Sequence, residues 1–375
     1  MTRIVGWTAV LLYLTVLTAV VLHAPTLPES PADETSQTPP ARREMELPLI
    51  GFALNVHHVD DVALYTEAID QMAELGANAV EIVTPAYQRD GASTEIAIDL
   101  KRCPERGQLQ QIIRHARERE LCVVFMPIVL FAQPRGTEWR GKIQPEDWDQ
   151  WWSSYHRIIC DFAELAELAQ ADVMLIGSEL LSTEKQAHRW VPLVAEVRKR
   201  FTGQLGYSTN WDHYQTPTFW DRLDFIGING YWTISDEADA AHAELVERWR
   251  EIREQVLAFS ERAGKPVMFT EIGYPSLPWA LKDPWNYIAK GAASTPDVQL
   301  RGHEAFGEAW SDLLQPEKEA APASPLSGVM FYEWDVFADG GPNDTGYGLR
   351  GKPALDALQQ WMPRRRTTPE ASASP

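Results

Sequence analysis

From Leu49 onward, hydrophobic and polar positions alternate between two patterns. Short apolar runs bounded by turn residues give way to longer stretches with a helical apolar period, and then return. The first run, Leu49 to Leu54, precedes an amphipathic stretch from Val62 to Leu75, with Gly76 placed as its C-cap. Ala79 to Val83 leads through a long loop to a helix over Leu109–Arg119, and Cys122 to Val129 leads to a helix over Trp148–Ala169 with a Trp/Tyr face. The fourth run, Asp172-Val173-Met174-Leu175-Ile176-Gly177-Ser178, stops at Glu179; Thr183 is placed to cap the next helix, which runs to about Arg200. Leu205 to Ser208 and Phe225 to Ile228 end in Asn210-Trp211 and Asn229-Gly230-Tyr231-Trp232. A charged helix over Ala241–Arg262 with Gly264 beyond it, the run Val267 to Glu271, and a helix over Val298–Leu314 follow. Gly328 to Tyr332, continuing into Glu333-Trp334-Asp335, and a short helix over Leu355–Trp361 close the series. Strands buried on both faces read as near-continuous apolar runs. Eight of them alternating with helical stretches predict an α/β protein with one (β/α)8 TIM barrel over residues 48–362 and no second folded domain.

In such a barrel the C-terminal strand tips carry the chemistry, so the polar residues at run ends are the candidates. Glu179 and Glu271 each follow an apolar run directly, and Gly273 and Pro275 come soon after Glu271. A lone acid there is most simply a helix N-terminal or surface charge; two at matched strand ends, on opposite sides of the barrel, fit a pair of carboxylates that flank a glycosidic bond. One would donate a proton to the leaving oxygen and the other would attack the anomeric carbon, at a separation of about 5–5.5 Å. Tyr231 is placed to hydrogen-bond Glu271, Trp334 to form a platform under the sugar, and Asn210 and Trp211 to hold hydroxyls and a further ring, with core packing the alternative for each. Tyr87, His57 and His58 lie at other strand ends with weaker claims. No His pair at helical spacing accompanies an acid, so no metal is expected; Asp339, Asn343 and Asp344 read as a turn-rich loop. GxGxxG, GxxxxGK[ST] and GxSxG patterns are absent, which leaves no support for a nucleotide cofactor or a nucleophile elbow, and no cofactor is expected.

Composition narrows the partner. A formal net charge of -19 over 375 residues argues against nucleic acid, whereas a neutral polysaccharide or oligosaccharide is not repelled. Fifteen Trp residues suit stacking on sugar faces, although packing between helices and sheet accounts for many. The three Cys residues show no disulfide framework or metal spacing. Ile4 to Leu22 is almost unbroken apolar sequence behind Arg3, so residues 1–24 read as an uncleaved signal-anchor, with a cleaved signal peptide as the alternative. That predicts an exported chain, held at the membrane or, if cut, secreted, with the charge at Arg3 left in the cytoplasm. Residues 25–47 read as a disordered linker and 363–375 as a disordered tail, and the protein is expected to be monomeric.

Several stretches together resemble glycoside hydrolase family 113. They are Trp139-Arg140-Gly141-Lys142-Ile143, Ile176-Gly177-Ser178-Glu179-Leu180, Tyr207-Ser208-Thr209-Asn210-Trp211, Leu223 to Asn229, Phe269 to Tyr274 and Gly351-Lys352-Pro353. The resemblance spans about Leu49 to Trp361 and implies a retaining β-mannanase-like TIM barrel, with Glu179 matching the acid/base and Glu271 the nucleophile. The chain departs from the pattern twice. Ser178 stands where much of the wider clan has an Asn that touches the sugar 2-hydroxyl, and Met126 precedes Pro127 where closer relatives carry Lys. A β-glucanase, an exo-acting glycosidase and a catalytically inactive glycan-binding barrel are the alternative readings.

Overall fold

In the computed structural model, residues 42, 44–58, 62–316, 324–337 and 340–363 are described. Eight parallel strands close on themselves: β1 (Leu49–Asn55), β2 (Ala79–Gln88), β3 (Cys122–Phe131), β4 (Val173–Ser178), β5 (Gln204–Asn210), β6 (Ile226–Asn229), β7 (Val267–Ile272) and β8 (Leu326–Trp334). Each pairs with its sequence neighbour, and β1 pairs with both β2 and β8, which completes the barrel. Around it lie α1 (Val62–Glu74), α2 (Arg106–Glu118), α3 (Trp148–Ala169), α4 (Ala187–Arg198), α5 (His242–Ala263), α6 (Pro296–Ala309), α7 (Ser311–Leu314) and α8 (Pro353–Gln359).

Alternation along each strand sorts the residues into two cores. Leu49, Ala79, Cys122, Val173, Phe225 and Met268 fill the barrel's interior, while the intervening residues pack outward against the helices. Gly206 shows how the interior is filled: a Cβ there would meet the Phe225 ring at 2.2 Å, so only glycine leaves that ring its place. Outside, Trp152 and Tyr155 of α3 pack on Trp190 of α4, Trp151 stacks on Tyr155, and the Tyr155 hydroxyl donates to the Ile176 carbonyl at 2.7 Å. The α3 start is fixed by Asp147, whose carboxylate accepts from the backbone N–H groups of Asp149 and Gln150. Gly76 (φ +93°) and Gly264 (φ +63°) adopt the left-handed conformation just past α1 and α5, as their positions predict.

Several elements differ from expectation. The strand β2 runs on past Val83, through Pro85, and β3 runs past Val129, because they pair with each other along their whole length, and the two-residue strand Ile96–Ala97 adds antiparallel to the far end of β2. Thr183 caps no helix: its hydroxyl donates to the Leu180 carbonyl, and α4 starts four residues later, after Gln186. One connection lacks an α-helix, since β5 and β6 are joined by a loop with only the 3-10 turn Trp220–Arg222. The stretch expected as a linker is attached at its end. Arg42 donates to the Ala171 carbonyl at 2.9 Å, pairs with Glu167 at 2.6 Å and lies over the Phe201 ring, and Met45 packs on the barrel's interior residues. Residues 1–41, residue 43 and the tail beyond 363, including the proposed signal-anchor, lie outside the described residues, as does Asp339. Among the described residues no helix is long and apolar enough to cross a membrane.

Candidate active site

The polar residues of the interior gather at the C-terminal end of the strands. Asn229, the last residue of β6, is fully buried and bridges four side chains. Its Oδ1 accepts from Ser208 Oγ and Thr270 Oγ1, both at 2.8 Å. Two hydroxyl donors on that side fix the orientation of the amide, so Nδ2 faces the other way. There it donates to Glu179 Oε1 and to Glu271 Oε1, each at 3.0 Å. The two acids predicted from strand ends therefore meet across one side chain.

Each acid has its own further partner. Glu179 follows β4 in the left-handed region (φ +53°), which costs a residue with a side chain about 1–2 kcal/mol and is held here by neighbours. Its N–H donates to the Ser208 carbonyl, and the next N–H, of Leu180, donates to the Tyr207 hydroxyl at 2.9 Å. Tyr207 in turn donates to the buried Glu184, which also accepts from Thr209 and contacts His213 Nδ1 at 3.0 Å. Arg140 arrives from the loop after β3 and pairs with Glu179 Oε2 at 2.7 Å. Burial opposes the charge on Arg140, but Glu179 and Glu271 outweigh it and hold the guanidinium above its usual pKa. On the other acid, the Tyr231 hydroxyl donates to Glu271 Oε2. Burial and then the charge of Glu179 push the Glu271 carboxyl up, against the pull of Arg140 and Tyr231.

Three further groups surround the pair. On β2, Glu81 shares the inward phase of Ala79 and Val83 and is fully buried; among the described residues neither carboxyl oxygen has a hydrogen-bond partner. Burial, and after it the charge of Glu271, hold its pKa well above the ordinary carboxylate range. Glu333 accepts from Asn55 Nδ2 and is pushed up to about 7, chiefly by burial and then by Asp335. The ring of His57 is held down to about 4 by burial, then by His58 and Arg140, and its Nε2 is buried without a partner among the described residues. Among those residues no group of three His, Cys, Asp or Glu has the arrangement of a metal site.

The other predicted residues divide. Tyr231 sits at the pair, and Asn210 ends β5 in register with Asn229. Ser178 is buried beside Glu179 with its hydroxyl unpaired among the described residues. The other three are not brought to the carboxylates. Trp211 packs on Trp232 at 6.1 Å, in the outer layer. Tyr87 lies on the antiparallel extension of β2, opposite Ala97 and under Arg102. Trp334 is no platform: it is buried against Phe52 at 5.3 Å, on the helix side of the sheet. A register shift explains it, since Phe52 pairs with Phe331 but Leu54 with Trp334, and the extra residue turns Trp334 outward. The inward ring there is Tyr332, beside Tyr231 and Tyr347. Strand-end reasoning missed Arg140, Asn229, Glu81 and Glu333. Asn229 had a signal, a polar residue closing an apolar run; Arg140 had only its place in a loop motif.

Comparison with known proteins follows the same lines. The profile described as Glycoside Hydrolase Family 113 matches residues 61–352. A structure described as a GH113 β-1,4-mannanase is 24% identical and superimposes with a TM-score of 0.73 over 84% of this chain and 98% of that one. The GH113 β-mannanase of Alicyclobacillus acidocaldarius is 23% identical, with a TM-score of 0.70 over 83% and 95% of the two chains. A family 5 mannosidase of Rhizomucor miehei shares 12% identity and a TM-score of 0.55 over 83% and 91%. At these identities the likenesses establish the barrel fold. No curated protein matches the sequence.

Proposed function

The chain belongs to glycoside hydrolase family 113, and from that premise we propose that it hydrolyses β-linked mannan with retention of anomeric configuration. In this reading Glu179 is the acid/base and Glu271 the nucleophile. The observation that carries it is the shared amide of Asn229, whose two 3.0 Å hydrogen bonds bring both acids to one side chain, as a scheme with two carboxyl groups flanking one glycosidic bond requires. Mannan is chosen because the similar solved structures of the same family are described as β-mannanases.

The first step breaks the bond between the anomeric carbon and the bridging oxygen. A Glu271 oxygen forms the new bond to carbon while the Glu179 proton goes to the departing oxygen. In the second step a water gives its proton to Glu179 and its oxygen to the anomeric carbon, and the ester to Glu271 breaks. Burial favours the proton on Glu271, whereas a nucleophile must act ionised. In this scheme the ionised Glu271 is held by the Tyr231 hydroxyl and the Asn229 amide, while Arg140 pairs with Glu179. The unpaired atoms of Ser178 and His57 then serve sugar hydroxyls, since a buried polar group without a partner costs about 1–3 kcal/mol until it finds one.

The apolar run Ile4 to Leu22 behind Arg3 supports an exported, membrane-tethered protein, and we take it to act as a monomer. The test is a reducing-sugar assay across mannan, glucomannan, xylan and β-glucan, with the product anomer followed by NMR. Mannan and glucomannan are expected to be cleaved, with the β-anomer appearing first. Preference for β-glucan moves the substrate class, α-product first sinks the retaining scheme, and no turnover on any of the four sinks the catalytic assignment.

A further inference from the structure

The connection after β7, residues 273–295, carries the protein's densest exposed apolar stretch among the described residues. Trp285, Tyr287 and Ile288 are 54%, 63% and 57% exposed, while the other large exposed hydrophobics stand singly. Exposing large apolar side chains close together in one loop loses the stabilisation that burial gives, and a cluster of this kind marks a binding surface more often than an accident of the fold. The segment is also held in place. Trp279 Nε1 donates to the Asn286 carbonyl at 2.8 Å, the Tyr347 hydroxyl donates to the Pro284 carbonyl at 2.6 Å, and the Asn286 N–H donates to Asp283.

What the rings lead to indicates their partner. The Tyr287 ring lies 6.2 Å from that of Tyr347, and Tyr347 lies 5.9 Å from Tyr231, whose hydroxyl is on Glu271. An aromatic path thus runs from the reacting acid to the surface. We propose that Trp285 and Tyr287 form a remote stacking subsite for a neutral β-linked glycan whose reacting unit lies at Glu179 and Glu271. This rests on the glycosidase reading above and extends it: the ligand is a chain, crossing this loop on its way out of the cleft. A pyranose ring presents apolar C–H faces and hydroxyls at its edge, which suits a ring pair with solvent at the rim. The net charge of -19 disfavours a polyanion or an anionic membrane as the occupant.

The test compares the full-length protein with a Trp285→Ala/Tyr287→Ala double variant and with Tyr287→Phe. Substrates are long mannan and a short aryl β-mannoside that ends before the loop. For the double variant kcat/KM on the polymer is expected to fall about tenfold, through KM, as loss of interface rings does. Cleavage of the short substrate stays within about twofold, and Tyr287→Phe, which keeps the ring, behaves as wild type. Equal loss on both substrates, or none on either, overturns the subsite. If the wild type cleaves no glycan, the catalytic reading fails separately, and electrophoresis through mannan-containing gel judges the subsite. Retardation of the wild type but not the double variant supports it, and identical migration overturns it.

Discussion

Glu271 and Glu81 are both buried acids on the inner side of one barrel, and the charge of Glu271 raises the proton affinity of Glu81, yet their surroundings are opposite. Around Glu271 the protein supplies the Tyr231 hydroxyl, the Asn229 amide and the field of Arg140. Around Glu81 it supplies no hydrogen-bond donor among the described residues. Burial alone therefore does not make a working carboxylate. What separates the two is the set of donors that oppose the rise in pKa at Glu271 and have no counterpart at Glu81 among the described residues.

The contrast is easiest to break at the pair itself. Glu271→Gln and Glu179→Gln are each expected to lower kcat on mannan by about 10³-fold or more while binding persists; Glu179→Gln should lose less on an aryl glycoside whose leaving group needs no proton. Loss of affinity in parallel with rate would argue for a collapsed site instead. Next come the donors. Tyr231→Phe and Arg140→Met each remove a group that lowers the Glu271 pKa, so the acidic limb of the pH–kcat/KM profile should move to higher pH, with kcat down roughly 10–100-fold. A limb that stays put, or moves to lower pH, would show that these groups do not govern Glu271.

The smallest effect is expected at Glu81. Its folded pKa lies above the unfolded value, so the native state binds the extra proton and stability falls as pH rises from the ordinary carboxylate value toward the raised one. Glu81→Gln keeps the neutral shape and removes that dependence. Thermal unfolding should be unchanged near pH 4 and higher by about 2 °C or more at pH 8, with activity within a few-fold. A large loss of activity would make Glu81 part of the machinery and erase the distinction drawn here.

Much of this was readable in the residues. An acid ending an apolar run announces itself, because a parallel strand leaves few places for a charge, and that sufficed for Glu179 and Glu271. Trp334 was misread for a reason outside local sequence: one extra residue in the β8 pairing reverses which face it joins. The strand β2 extends through Pro85 to Gln88, beyond the apolar run that ends at Val83, because pairing with β3 carries it on. Arg140 reaches the pair only because the loop after β3 folds back over the mouth, a tertiary event with no periodic trace.

One amide group serving two acids has a consequence for timing. In the proposed cycle Glu271 turns from an anion into an ester midway, and an ester attracts an N–H less than a carboxylate does. Asn229 is then freer to lean toward Glu179 at the moment that residue becomes the base. A rigid planar group hinged between two unequal weights works as a balance beam, so chemistry at one end is felt at the other with no movement of the backbone.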